Sequence, residues 1–263
     1  MAKHRAIPGA IAIVQTIVSR ELRLSLRRTL VRSLFILSLA SPLGFAGILM
    51  FRKVVEESMG QELDWDPIVT FLRVQCLPLA LLALGLGAPA MIEDKKNRAL
   101  SLYAARPLTP FRYALARIVA VALPVAALFI LPGWGIIALR MGILEEATLS
   151  TSLLLALKVF LCALPIAWAY GGLTVAAGAL CKKIRWALIL TAAFFFVPDW
   201  LIQLSEIKLE QSIGPSGCAT TILTESFETL DWLQAVWASL GLILYGFSGL
   251  AITLISYKKT AKP

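Results

Sequence analysis

The chain has 263 residues, 59% of them hydrophobic and only 16% charged, with a mean hydropathy of +0.80. Soluble domains average about 45–50% apolar and about 25% charged residues, so a water-soluble globular protein is excluded, and so is disorder, which needs low hydropathy. The 25 Lys and Arg against 16 Asp and Glu leave a net charge of +9, which would speak for a nucleic-acid partner only if it were confined to one region of a soluble protein.

Residues 1–30 read as a cytoplasmic amphipathic helix. Val14, Val18, Leu22 and Leu26 recur every four residues, while Thr16, Arg20, Arg23 and Arg27 occupy another face. That pattern suits a helix lying in the headgroup layer. An ordinary basic flank of a first membrane helix is the other reading. The short apolar stretch after residues 1–5 has no convincing cleavage site, so no secretory signal is expected.

A helix needs about 20 mainly apolar residues to cross a hydrocarbon core of roughly 30 Å. Six stretches meet that demand, at 31–51, 74–92, 118–139, 159–180, 187–204 and 232–257. The fifth is the weakest, being short and ending at Pro198-Asp199-Trp200. The runs are continuously apolar rather than alternating, which predicts helices and not a transmembrane barrel. The expected class is an all-α polytopic membrane protein with six transmembrane helices and an N-terminal interfacial helix. Its membrane domain covers 31–257, with one external loop at 205–231 and a cytoplasmic tail at 258–263.

Six spans sort the charge. The N-terminus, the second and fourth loops and the C-terminus carry 19 basic residues against three acidic ones, and the other side carries 6 against 13. One face is thus +16 and the other −7. The Lys/Arg bias places the first face, and both termini, in the cytoplasm. The +9 is then a topology signal, and no nucleic-acid partner is expected.

Proline punctuates five spans, at Pro42, Pro78, Pro89, Pro124, Pro132, Pro165 and Pro198. Kinked helices suit a transporter, but proline is common in membrane helices generally. Small residues cluster around Gly85 and Gly87, from Gly171 to Gly178, and from Gly241 to Gly249. Close packing within the chain and packing between two copies both fit them.

Several chemistries lack their residues. The single histidine is His4, so histidine-based zinc sites and Ser/His or Cys/His catalysis have no centre. The four cysteines, Cys76, Cys162, Cys181 and Cys218, show no CxxC spacing. A bridge between Cys76 and Cys162 and unpaired apolar filling are both open. No Gly-Lys dipeptide exists, so no phosphate-cradling loop is present. The chain is not expected to be an enzyme or to hold a cofactor. Ionisable residues within spans mark ion paths, but Arg73, Lys158 and Asp199 all fall near outer helix ends. That placement weakens an ion-coupled secondary transporter, which remains an alternative beside a membrane assembly or anchoring subunit with no cargo.

The segment 93–110 is the most informative. Its first half suits a short cytoplasmic helix with Asp94 to Arg98 exposed. Pro107 ends that helix, and Thr109 caps the third span with Pro110 at its first position. A charged helical element at the membrane face suits docking on a soluble partner, and equally a solvated connection. The run Glu93-Asp94-Lys95-Lys96-Asn97-Arg98-Ala99-Leu100, the stretch Leu102-Tyr103-Ala104-Ala105-Arg106-Pro107-Leu108-Thr109 and then Tyr113 to Arg117 resemble the ABC-2 type permeases, membrane subunits of ATP-binding-cassette transporters. Lysine is common in the family near Arg117. The six spans, cytoplasmic termini, basic N-terminal helix and external loop before the last span are similar too.

The resemblance implies a coupling helix between spans two and three, seated in a groove of a separate ATPase subunit that holds ATP and Mg. It implies contact through Glu93, Asp94, Lys95, Lys96, Asn97 and Arg98, with Arg20, Glu21 and Arg23 secondary, and motif positions at Tyr103, Arg106, Pro107 and Tyr113. It further implies a second permease chain, a bacterial inner-membrane location and export of an unidentified substrate. The loop 205–231 would hold external re-entrant helices turning at Gly214-Pro215-Ser216-Gly217; an ordinary loop is the other reading.

Overall fold

A computed structural model of the chain describes residues 10–59, 67–97, 109–144, 148–204 and 213–260. Among these the regular elements are helical, with no strand. They are α1 (Ala10–Ser25), α2 (Thr29–Met59), α3 (Pro67–Lys96), α4 (Pro110–Leu144), α5 (Leu149–Leu180), α6 (Ile184–Leu204) and α7 (Pro215–Thr224), then a π-helical turn (Glu225–Thr229) and α8 (Trp232–Thr260). Six of them, α2 to α6 and α8, are long and apolar enough to cross a membrane. The chain is an integral membrane protein.

The helices outrun the apolar stretches that announce them. The third span, expected at 118–139, belongs to a 35-residue helix, roughly 50 Å at 1.5 Å per residue, longer than the hydrocarbon core. Apolar content marks the hydrocarbon-facing part, while backbone hydrogen bonding carries a helix on until something stops it. Pro42, Pro78, Pro89, Pro124, Pro132, Pro165 and Pro198 all lie inside continuing helices. Pro198 does not stop the fifth span either: its helix ends at Leu204, the bound expected for it. As expected, Thr109 caps α4: its hydroxyl accepts from Arg112 N–H at 3.3 Å, with Pro110 as the first helical residue.

The core is built around α5, which packs on α3, α4, α6 and α8. Its C-terminal half is almost wholly buried, from Ile166 through Ala179. Membrane helices gain little from apolar burial against one another, so close backbone approach has to supply the packing. The small residues provide it within this chain. A side chain at Gly172 would stand 2.7 Å from the Gly246 carbonyl oxygen of α8, and one at Gly178 would stand 2.7 Å from that of Ala88 on α3. The periphery is apolar and outward-facing instead. Leu30, Ile36, Leu43 and Phe51 of α2 and Trp186, Ile189 and Leu201 of α6 are exposed, as helices against lipid require. All four cysteines are free, with Cys76 and Cys162 buried as apolar filling.

Near the first loops, α1 ends at Ser25, short of the expected residue 30. Val18, Glu21 and Ser25 are buried, against α4, and Leu26 lies beyond the helix end, about half exposed. Residues 93–96 form the last turn of α3, and Asp94, expected exposed, is turned inward with its side chain 13% exposed; the expected short helix from residue 98 to Pro107 lies outside the described residues. Arg98, Tyr103, Arg106 and Pro107 lie outside the described residues, as does His4.

Candidate functional site

The N-terminal end of α4 brings Tyr113 and Arg117 onto one face, four residues apart, and both point inward. Arg117 is 4% exposed. A guanidinium so far from water must be paired and hydrogen-bonded, and two carboxylates do this. One guanidinium nitrogen bonds Glu21 of α1, and another bonds Asp94 of α3. The Tyr113 hydroxyl donates to the same Asp94 oxygen at 2.5 Å. The Arg117 guanidinium carbon lies 5.4 Å from the Tyr113 ring centroid, and that ring packs at 5.2 Å on Tyr257 of α8. One side chain therefore fastens α1, α3 and α4 together, with α8 against its back.

Around this cluster the candidate residues divide. Glu21 and Asp94 are turned inward and cannot meet a partner directly. Lys95 is turned inward too, its ammonium donating to the carbonyl oxygens of Gly178, at 3.4 Å, and Ala179, at the C-terminal end of α5. A cation there meets the negative end of the helix dipole. Glu93 is half exposed and accepts from Arg28 at 2.5 Å, which ties the link after α1 to the end of α3. Lys96 and Asn97 are exposed, and so are Arg20 and Arg23 on α1. The structure thus joins Glu21, Asp94 and Tyr113 into one assembly and leaves Glu93, Lys96, Asn97, Arg20 and Arg23 at its surface.

Sequence reasoning placed Arg117 among the loop charges and near a family position, but missed its role as the hub. The available signal was an arginine in the second turn of an apolar helix, four residues after a tyrosine. Which acids reach it was not readable, since they are 96 and 23 residues away in the chain.

At the opposite end of the bundle the ionisable residues Arg73, Lys158 and Asp199 share one task. Asp199, near the end of α6, accepts from Gly214 N–H at 2.8 Å, Gly217 N–H at 2.8 Å and the Ser216 hydroxyl at 2.6 Å. It is a cap for α7 supplied from another helix, placed where the helix dipole favours an anion. Arg73 of α3 donates to the Thr224 hydroxyl and to Glu228, both at 2.6 Å. Lys158 of α5 donates to the Ser226 carbonyl oxygen at 2.7 Å, with the Phe227 and Trp232 rings 5.6 and 5.5 Å away. The chain then reverses into α8 through Leu230, at φ 58°. So α7 and its π turn form a short helical element fastened at start, middle and end. It starts at the Gly214-Pro215 punctuation, and residues 205–212 lie outside the described residues.

Among the described residues no three His, Cys, Asp or Glu side chains come together to hold a metal ion. No family model matches the chain, and no curated protein matches it.

Proposed function

We propose that the chain is the permease subunit of an ABC-2 type transporter, pairing with a second permease chain and driven by a separate ATPase subunit that holds ATP and Mg. The observation that carries this reading is the Arg117 cluster. A push on α1, or on the segment leaving α3, is transmitted to α3 and α4 through one buried guanidinium instead of being lost in a loose loop. That is the mechanical property a coupling region needs.

The exposed residues Glu93, Lys96, Asn97, Arg20 and Arg23 face the ATPase in this reading, with Arg98 next in the chain. Glu21, Asp94 and Lys95 stand behind them as positioning residues. The +16 face is cytoplasmic by its Lys/Arg excess, which puts both termini and α1 on the ATPase side, with α1 at the headgroup layer of a bacterial inner membrane. The fastened α7 element then stands outside, where it closes the outer end of an export path. The chain itself performs no covalent chemistry. Arg73, Lys158 and Asp199 are engaged in holding α7, which takes from the ion-coupled alternative the charges it would use.

The test is recovery of a nucleotide-binding subunit when the chain is purified from its native membrane. Replacing Glu93, Lys96 and Asn97 together by Ala should lower ATPase recovery about tenfold, the cost of one to three modest polar contacts, while the fold loses no more than about 1 kcal/mol from the half-exposed Arg28–Glu93 pair. Failure of the unaltered chain to recover any nucleotide-binding subunit would sink the proposal, as would full recovery and transport by the triple variant. Recovery without any substrate-stimulated ATP hydrolysis would favour the anchoring alternative.

A further inference from the structure

At the same end as the Arg117 cluster, but on another side of the bundle, the C-terminal ends of α3, α5 and α8 enclose a cleft of about 750 Å³. Four lysines line it, Lys95, Lys96, Lys182 and Lys259, and no acidic residue does. The acids closest in sequence, Glu93 and Asp94, are engaged with Arg28 and Arg117. Among the described residues none of the four lysines forms a salt bridge.

Helix C-termini repel anions, so three of them would make a poor anion site unless their carbonyls were occupied. At the deepest one they are. Lys95 donates to the Gly178 and Ala179 oxygens, and the Ser256 hydroxyl donates to Ala179 at 2.7 Å. An ammonium has three donors, so Lys95 keeps one N–H for a ligand. Lys96, Lys182 and Lys259 are exposed and bring full charges to the rim.

The remaining walls are apolar. Ile92, Leu180, Ile252 and Ile255 line the cleft, and Leu180 and Ile255 are 54% and 55% exposed. Lysines beside uncovered aliphatic side chains, at the ends of three membrane helices, match a molecule with a phosphate at one end and hydrocarbon at the other. Basic recesses between membrane helices at headgroup depth bind anionic lipid heads in this manner. We infer that this cleft holds an anionic phospholipid, its phosphate among Lys95, Lys182 and Lys259 and its acyl chains along Ile252, Ile255 and Leu180. The inference does not rest on the transporter reading.

The test uses the full-length chain in neutral detergent, titrated with dioctanoyl phosphatidylglycerol, dioctanoyl phosphatidylcholine or inorganic phosphate, with affinity read by native mass spectrometry and by the thermal midpoint. Phosphatidylglycerol should bind and raise the midpoint well beyond phosphatidylcholine. K182Q/K259Q should weaken it at least about tenfold, since each lysine near such a headgroup contributes roughly a factor of five, while leaving the unliganded midpoint unchanged. Ile255→Asn should weaken the lipid and leave the response to phosphate alone. If the double variant does not fold, Lys259→Gln and Lys259→Arg decide: Gln should lose affinity and Arg keep it. Equal binding of the two lipids, phosphate matching the lipid, or lysine variants that bind phosphatidylglycerol like the parent would each overturn the assignment.

Discussion

Replacing Arg117 with Met is expected to destabilise the protein by about 3–5 kcal/mol, the usual cost of removing one partner from a buried ionic cluster. The size follows from what is left behind. Glu21 and Asp94 have side chains 12% and 13% exposed, and they would remain as two carboxylates sharing one desolvated space. Like charges in such a space raise the cost beyond the lost bonds themselves. Arg117→Lys keeps the charge but cannot reach two carboxylates with separate guanidinium nitrogens, so it should fall between Met and the parent. The decisive comparison is the triple variant E21Q/D94N/R117M, which removes all three charges. It should recover much of the lost stability, because the penalty lies in the unpaired charges and not in the missing attraction. Denaturant or thermal unfolding in detergent measures this. Equal loss of stability in the single and triple variants would show that the penalty lies in the missing attraction and not in the unpaired charges. The triple variant also separates structure from function: folded, but with α1, α3 and α4 no longer locked, it should bind the ATPase and transmit its stroke poorly.

Asp199→Ala should release α7 from the bundle. Three hydrogen bonds to one carboxylate, from the N-cap Gly214 N–H, the first-turn Gly217 N–H and the Ser216 hydroxyl, are lost, and with them the favourable charge at the helix start. Caps contribute about 0.5–2 kcal/mol and hydrogen bonds to a charged group about 1.5–3, so about 2–4 kcal/mol of local stability is at stake. Amide exchange should report this as a loss of protection of roughly 30- to 1,000-fold over α7 and the π turn. Helices α3 to α5 should keep their protection.

A thiol reports the same event independently. Cys218 sits on α7, 3% exposed. Burial, and after it the Asp199 carboxylate, push its thiol up to about 11. At pH 8 the parent thiol is therefore almost entirely protonated and shielded. Asp199→Ala removes the nearby anion and opens the helix, and both changes increase the reactive thiolate. With Cys181 replaced by Ser to silence the other accessible position, maleimide should label the variant at Cys218 much faster than the parent. Unchanged labelling and unchanged exchange would show that the Asp199 bonds do not hold α7 in place.

These two clusters mark where sequence reasoning reached and where it stopped. Arg73, Lys158 and Asp199 were legible as helix-end charges, and their position argued against an ion path. That all three converge on one short helix was not legible, since α7 is 10 residues of unremarkable composition. Arg117 was counted as one more basic residue of the second loop. Its burial depends on α1 folding back across α4, and the amphipathic pattern of α1 gave a face that did not include Glu21. The small residues were flagged correctly as packing sites, but whether they serve this chain or a second copy required seeing Gly172 against Gly246 and Gly178 against Ala88.

The sequence by itself determined the class of molecule, the number of membrane helices and the separation of charge between their ends. Those properties follow from local sums: about 20 apolar residues suffice to span a bilayer whatever their neighbours do, and charge bias is read segment by segment. Only the tertiary structure decided which charges are buried, which helix holds α7, and which end of the bundle gathers four lysines against aliphatic walls. These are pairings across 15 to 155 residues of chain, and one acidic residue in a loop looks like any other until packing removes it from water.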